Sequence, residues 1–254
     1  MDDIDWARLV RPQVDGYDTN IIRQVAATRY KVQASPAVEG QPTVFGSVPL
    51  ISFVMGSLQT APFTHAMIVK GDRLLKEWWP EQWRQCSELL HSVWPISAGR
   101  ESESDGGSGS ISSSNAAWNS VGSSVHGALG FCEGVIHEQG HWKLRGLGLG
   151  LEHWDNIVAN DPAEMFESPV RKDKPRPMGA CVHAQYSFLH VLEVEIRAHK
   201  AGYVVGMMAL NRKRMAEGRV TLEAWRPVPG TEAFKDTMQA WADELVAEAN
   251  VLLK

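Results

Sequence analysis

The feature that most constrains this sequence is a pair of histidines four residues apart, His137 and His141. They sit in a stretch whose apolar residues, Val135, Ile136, Leu144, Leu147 and Leu151, recur at helical spacing from Glu133 onward. On a helix, positions i and i+4 share a face with Cβ atoms about 5–6 Å apart, so both imidazoles can reach one cation. Glu138 stands about 100° further around the same helix, close enough to touch a water or ligand on that cation. The segment His137-Glu138-Gln139-Gly140-His141 therefore has the geometric content of a HExxH motif, and it predicts a divalent metal.

Two histidines leave a catalytic metal short of a third protein ligand. A metzincin would carry glycine and histidine three and six residues past His141; Leu144 and Leu147 stand there and exclude that class. Glu164, Glu193 and Glu195 are available to close a site of the gluzincin kind, though none has a distinctive setting. His183 is the better third ligand, because it falls in the first turns of a helix expected to begin near Gly179 and run past Ile196. His190, seven residues on, shares its face but lies roughly 10 Å along the axis, so it can line a pocket and not share the ion. His153 is expected to face another way, and His65, His91, His126 and His199 read as surface or satisfied core histidines.

Around this motif the chain reads as α+β and mainly helical. Helices are expected over Asp18 to Val32, over Pro49 to Lys76, and over Tyr203 to Ala216 and Thr231 to Leu253. Short strands are expected over Leu89 to Ile96, Ile111 to Ser114 and Val125 to Phe131, a small sheet just before the histidine helix. Pro80 interrupts the segment crowded by Trp78, Trp79 and Trp83. The serine and glycine of Gly99 to Ser114 bury too little apolar surface to offset their ordering entropy, so residues 99–110 are expected to form a mobile surface loop.

At 254 residues, 44% hydrophobic and 22% charged, the chain can bury one sizeable core, and no hinge marks a second domain. The formal net charge of −5 argues against a surface built to neutralise phosphates, so nucleic acid is not an expected partner. The acidic start, Met1-Asp2-Asp3-Ile4-Asp5, is unlike a signal peptide, and the apolar run around Val48 to Met55 is far short of a membrane span. The cytoplasm, with no membrane, is the expectation. Cys86, Cys132 and Cys181 form no CxxC pair and read as buried small hydrophobes. Tryptophans cluster in the middle of the chain and read first as ordinary core and surface packing; the alternative is that Trp142 or Trp118 walls an aromatic or apolar substrate pocket near the metal.

Three segments in order carry a more specific likeness. They are Val135-Ile136-His137-Glu138-Gln139-Gly140-His141-Trp142-Lys143-Leu144, then Glu167-Ser168-Pro169-Val170-Arg171-Lys172-Asp173-Lys174-Pro175-Arg176-Pro177, then His183-Ala184-Gln185-Tyr186-Ser187-Phe188-Leu189. Over about a quarter of its length the chain thereby resembles the 2-oxoglutarate- and Fe(II)-dependent HExxH-type peptide β-hydroxylases found with ribosomal peptide biosynthesis. It departs from their pattern at Gly140, commonly Gln, at Val170 in place of Trp, and at Lys174 in place of an acidic residue.

The resemblance implies Fe(II) held by His137, His141 and His183, with 2-oxoglutarate chelating the metal through its keto-acid end. Its distal carboxylate needs a cation, for which Arg176 is the first choice and Arg171 the second. O₂ would be the other co-substrate, and the product a residue hydroxylated at an unactivated β carbon, in a peptide or amino-acid substrate of natural-product biosynthesis. Glu138 would then orient a ligand or water. Tyr186, His190 and Trp142 would border the substrate pocket. Two other readings stay open on the residues alone: a zinc hydrolase or peptidase in which Glu138 is the general base, and a non-catalytic metal-binding module with closed coordination.

Overall fold

A computed structural model describes residues 42–50, 65–96, 110–112, 120–124, 127–146 and 157–254. The helix expected over Asp18 to Val32 lies outside the described residues, as does the loop expected over 99–110 except for Ser110. Over what is described, the protein is mainly helical with small sheets, in the order β1 (Thr43–Val44), β2 (Val48–Pro49), α1 (His65–Trp78), α2 (Pro80–Leu89), β3 (Ser92–Ile96), β4 (Ser110–Ser112), β5 (Ser120–Ser124), α3 (Ala128–Gly146), β6 (Met165–Phe166), β7 (Arg176–Pro177), α4 (Met178–Lys200), α5 (Met208–Thr221), a 3-10 turn (Leu222–Ala224) and α6 (Glu232–Leu252). No helix among the described residues is long and apolar enough to cross a membrane.

The three-stranded sheet has the order β3-β5-β4, with β3 parallel to β5 and β4 antiparallel to it. The strand expected over Val125 to Phe131 is displaced: pairing is made by Ser120–Ser124, and Ala128 already opens the histidine helix. The residues of β5, Ser-Val-Gly-Ser-Ser, carry no period-two alternation to mark it. Ser120 and Ser123 are buried, and Ser120 shares a 2.7 Å hydroxyl contact with Ser92 of β3. Helix α3 covers this sheet and reaches α1 on another side, where Gly71 allows the close crossing. A Cβ there would stand 2.8 Å from the Ala128 carbonyl oxygen and 2.8 Å from Phe131.

Two apolar cores meet at α4. One joins α4 to α5 and α6 through residues such as Leu189, Met215, Phe234 and Trp241; the other joins α1, α2, the sheet and α3, and takes Val194 and Ala198 from α4. Pro80 starts α2 at a position where a missing N–H is harmless, which is why two helices follow one another around Trp79. Helix α4 follows Pro177 directly. It ends where Gly202 takes φ 86°, with Tyr203 N–H donating to the Ala198 carbonyl and Gly202 N–H to that of His199, so the last carbonyls are satisfied. The three cysteines are buried; burial pushes the Cys86 and Cys132 thiols up strongly and Cys181 up to about 11.

Candidate metal centre

Helix α3 carries His137 and His141 one turn apart, and α4 runs alongside it carrying His183. The close approach of the two helices has a local cause. Gly140 faces α4, and a Cβ at that position would stand 3.1 Å from Ser187 Cα, tighter than ordinary packing. Glycine between the two histidines therefore lets the backbones come near enough for their imidazoles to meet.

The three rings form a chain. His137 Nε2 lies 3.2 Å from His141 Nε2, with ring centroids 4.8 Å apart and planes nearly perpendicular. His141 Nδ1 lies 3.3 Å from His183 Nδ1, with the rings stacked at 5.6 Å and 25°. Nitrogens about 2.1 Å from one ion are separated by roughly 3.0–3.4 Å, so the His137 and His141 pair has the spacing of two ligands. His183 meets the other nitrogen of His141. Among the described residues, no group of three or more histidine, cysteine, aspartate or glutamate side chains converges as it stands on a position for a metal ion.

Burial pushes His137 down to about 4, so its ring is neutral near pH 7 and keeps a lone pair for a cation. Glu138 is buried, and its Oε1 lies 3.9 Å from His137 Nε2, the nitrogen that faces His141. A carboxylate so placed can hold a water or orient a ligand beside the pair. The rings of His137 and Phe188 of α4 also meet in a T-shaped contact, with centroids 4.8 Å apart and planes at 76°.

The three carboxylates considered for a different cluster have other partners. Glu193 accepts from Arg197 and from the Trp241 indole; Glu164 accepts from Arg226 and Asn160; Glu195 accepts from Asn211. The two arginines expected to meet 2-oxoglutarate share one acid. Arg176 Nη2 donates to both oxygens of Asp173 at 3.1 Å, and Arg171, 70% exposed, lies 3.5 Å from the same carboxylate.

The structure places Trp142, Tyr186 and His190 inside the packing rather than on an open wall. The Trp142 indole donates to the Ser120 carbonyl at 3.0 Å. Tyr186 packs among Phe234, Trp241 and His190, and its hydroxyl is pushed well up by burial. His190 Nδ1 donates to the Tyr186 carbonyl at 2.9 Å, which leaves Nε2 to accept from Lys143 Nζ at 3.1 Å. Lys143 also donates to Gln82 Oε1 at 2.9 Å, and the Gln82 amide donates to Gln139 Oε1. All four side chains of this chain, Gln139, Gln82, Lys143 and His190, are fully buried. It pins α2, α3 and α4 together from positions 139 and 143, either side of His141 in the sequence, and burial pushes the Lys143 ammonium down to about 7.

Sequence reasoning missed this network, because nothing in the spacing of Gln82, Gln139, Lys143 and His190 links them before the helices are packed. It also missed Phe188 and Arg214, whose guanidinium lies over the Phe188 ring. No family model matches the chain, and no curated protein matches it.

Proposed function

We propose that the protein is a non-haem Fe(II) enzyme of the 2-oxoglutarate-dependent class, hydroxylating an unactivated β carbon of an amino-acid residue in a peptide or natural-product precursor. The observation that carries the reading is the row of three imidazoles: His137 and His141 at ligand spacing on α3, with His183 of α4 against His141. Among the described residues, Glu164, Glu193 and Glu195, the carboxylates open to a zinc peptidase of the gluzincin kind, each have other partners.

The donor types suit the metal by their chemistry, although as they stand no three of them among the described residues converge on one position. Neutral imidazoles suit divalent iron, and the His137 ring is neutral because it is buried. His137 and His141 would hold the ion, and His183, which lies against the other nitrogen of His141, would be the third donor this reading requires. When bound, iron with the oxo-acid supplies the oxidising power that no amino-acid side chain has. Glu138 keeps its carboxylate beside the His137 nitrogen and positions a water or ligand there. The buried Gln139, Gln82, Lys143 and His190 chain fixes the helix that carries both His137 and His141, and so holds the spacing of that pair.

The Glu138 carboxylate also supports a second reading, a zinc hydrolase in which it takes a proton from a metal-bound water. One experiment separates the two. The protein is reconstituted anaerobically with Fe(II), and O₂-dependent conversion of 2-oxoglutarate to succinate is followed with candidate peptides and amino acids. Succinate formation with iron is expected. Peptide cleavage with zinc and no turnover with iron would replace the oxygenase with the hydrolase.

A further inference from the structure

Exposed apolar side chains gather at one end of the helices. Of the eight large ones among the described residues, Val204, Leu210, Val251 and Leu253 belong to the loop between α4 and α5, the first turn of α5 and the end of α6. Lys200, last in α4, pairs with Glu248, which puts the ends of α4 and α6 together. Lys235, Gln239 and Asp243 of α6 meet Trp225, Leu222 and Arg219 in turn, so α5 and α6 run antiparallel and the start of α5 lies towards that same end. Tyr203 anchors the loop on α1, packed edge-on against Trp78 with Lys70 Nζ 5.9 Å from its ring centroid. Val204, the next residue, is 94% exposed, so its side chain touches almost nothing of the protein.

Cations border this end in excess. From Ile196 to Ala216 the sequence has no aspartate or glutamate, although the chain as a whole carries a net charge of −5. Lys70 and Arg73, one turn apart on the exposed side of α1, and Arg212 of α5 make no salt bridge among the described residues, and the Arg212 Nε has no hydrogen-bond partner. Lys213 is exposed, and its ammonium comes no nearer than 3.9 Å to the Glu217 carboxylate. Of the acids around the adjoining cleft, Glu248 is held by Lys200 and Glu193 by Arg197, which leaves Glu77.

From this placement we propose that the loop between α4 and α5 docks the protein on an anionic membrane surface. Val204 and its apolar neighbours enter the interface of the bilayer, while Lys70, Arg73, Arg212 and Lys213 meet the phospholipid headgroups. A valine that stands clear of the protein favours a bilayer over a protein partner: acyl chains close around a protruding side chain from every direction, whereas a folded partner needs a socket of matching shape. The acidic remainder of the molecule opposes this little, because charges more than about 8 Å from the surface are largely screened at physiological ionic strength. No described helix can cross a membrane, and lying on one requires none. The loop follows α4, whose last residue is about 25 Å along the axis from His183, and the docking does not depend on the metal centre.

Co-sedimentation of the full chain with vesicles tests this, using phosphatidylcholine alone and equal parts of phosphatidylcholine and phosphatidylglycerol. Binding to the mixed vesicles is expected to exceed binding to phosphatidylcholine by about 10-fold or more, and to weaken as salt is raised. Val204→Asp should lower it by about 10-fold or more, with helix content by circular dichroism unchanged. Lys70→Gln together with Arg73→Gln should lower it roughly 10- to 30-fold on the mixed vesicles and leave phosphatidylcholine unaffected. Val220→Asp changes another exposed valine, near the opposite end of α5, and should alter neither. An unsubstituted protein that stays in solution with the mixed vesicles, or equal losses in Val204→Asp and Val220→Asp, overturns the proposal. So does a dimer seen by light scattering without lipid and abolished by Val204→Asp, because the apolar end would then belong to a second copy of the chain.

Discussion

The Nε2 atoms of His137 and His141 face each other at 3.2 Å, while the opposite nitrogen of His141 meets His183. His141 is thus the centre of the row, and its loss should separate the other two rings. His141→Ala and His137→Ala are each expected to lower Fe(II) affinity by more than about 100-fold, beyond what loss of an outer contact does. His183→Ala should lower it less but measurably. Metal content after equilibrium dialysis against Fe(II) under anaerobic conditions checks the order; an unchanged affinity in His183→Ala would remove the third ligand.

Glu138 distinguishes the two metal chemistries by the size of its effect. As a group that positions water beside His137 Nε2, its replacement in Glu138→Gln keeps shape and one acceptor, and succinate formation should fall roughly 10- to 100-fold. As a general base in a hydrolase, the same change would cost on the order of 100- to 10,000-fold in peptide cleavage. Steady-state rates for both reactions, with iron and with zinc, tell these apart.

Gly140 is where packing and site depend on a single missing methyl. Gly140→Ala puts Cβ 3.1 Å from Ser187 Cα, and helices α3 and α4 must separate to admit it. A destabilisation of about 1–3 kcal/mol is expected, as for other overpacked interiors. Because His141 rides on one helix and His183 on the other, Fe(II) affinity should fall as well. Chemical denaturation and metal titration on the same protein give both values, and a loss of stability with iron binding untouched would show that this contact does not set the spacing of the rings.

The helical frame of the site was legible because it rests on local periodicity. Helices α4 and α6 fall within two residues of where apolar spacing and the flanking prolines put them, and the i, i+4 relation of His137 and His141 is a property of any helix. His183 was expected to reach the same ion as His137 and His141, from its place early in a helix packed on α3; it lies instead against the other nitrogen of His141, an orientation that helix spacing alone does not set. Strand β5 was misplaced because its residues, Ser-Val-Gly-Ser-Ser, lack the alternation that marks a half-buried strand; two serines are instead buried by pairing with β3. The reason for glycine at position 140 was hidden for a related cause. It answers to Ser187, 47 positions later, and only the packed pair of helices shows what a side chain there would strike. Phe188 and Arg214 belong to the same kind of long-range relation.

Glu195 gives a prediction that does not depend on the metal. Its carboxyl is fully buried between α4 and α5, with Asn211 donating to Oε1 at 2.9 Å and Oε2 without a hydrogen-bond partner. Burial and the nearby Glu133 raise its pKa well above the ordinary 4.5, against the smaller opposing effects of Asn211 and Arg214. Above pH 4.5 the unfolded chain releases a proton that the folded chain keeps, so the unfolded state binds fewer protons and stability falls as pH rises. Below pH 4.5 both states are protonated and the penalty is absent. Glu195→Gln keeps the shape and the acceptor for Asn211 while removing the ionisable proton. It should therefore stabilise the metal-free protein at pH 7 by roughly 1–2 kcal/mol, or about 2–8 °C in Tm. The advantage should shrink steadily as the pH is lowered and vanish near pH 4. Thermal unfolding of both proteins across that range measures the difference; a gain independent of pH would show that the carboxyl is ionised where it stands.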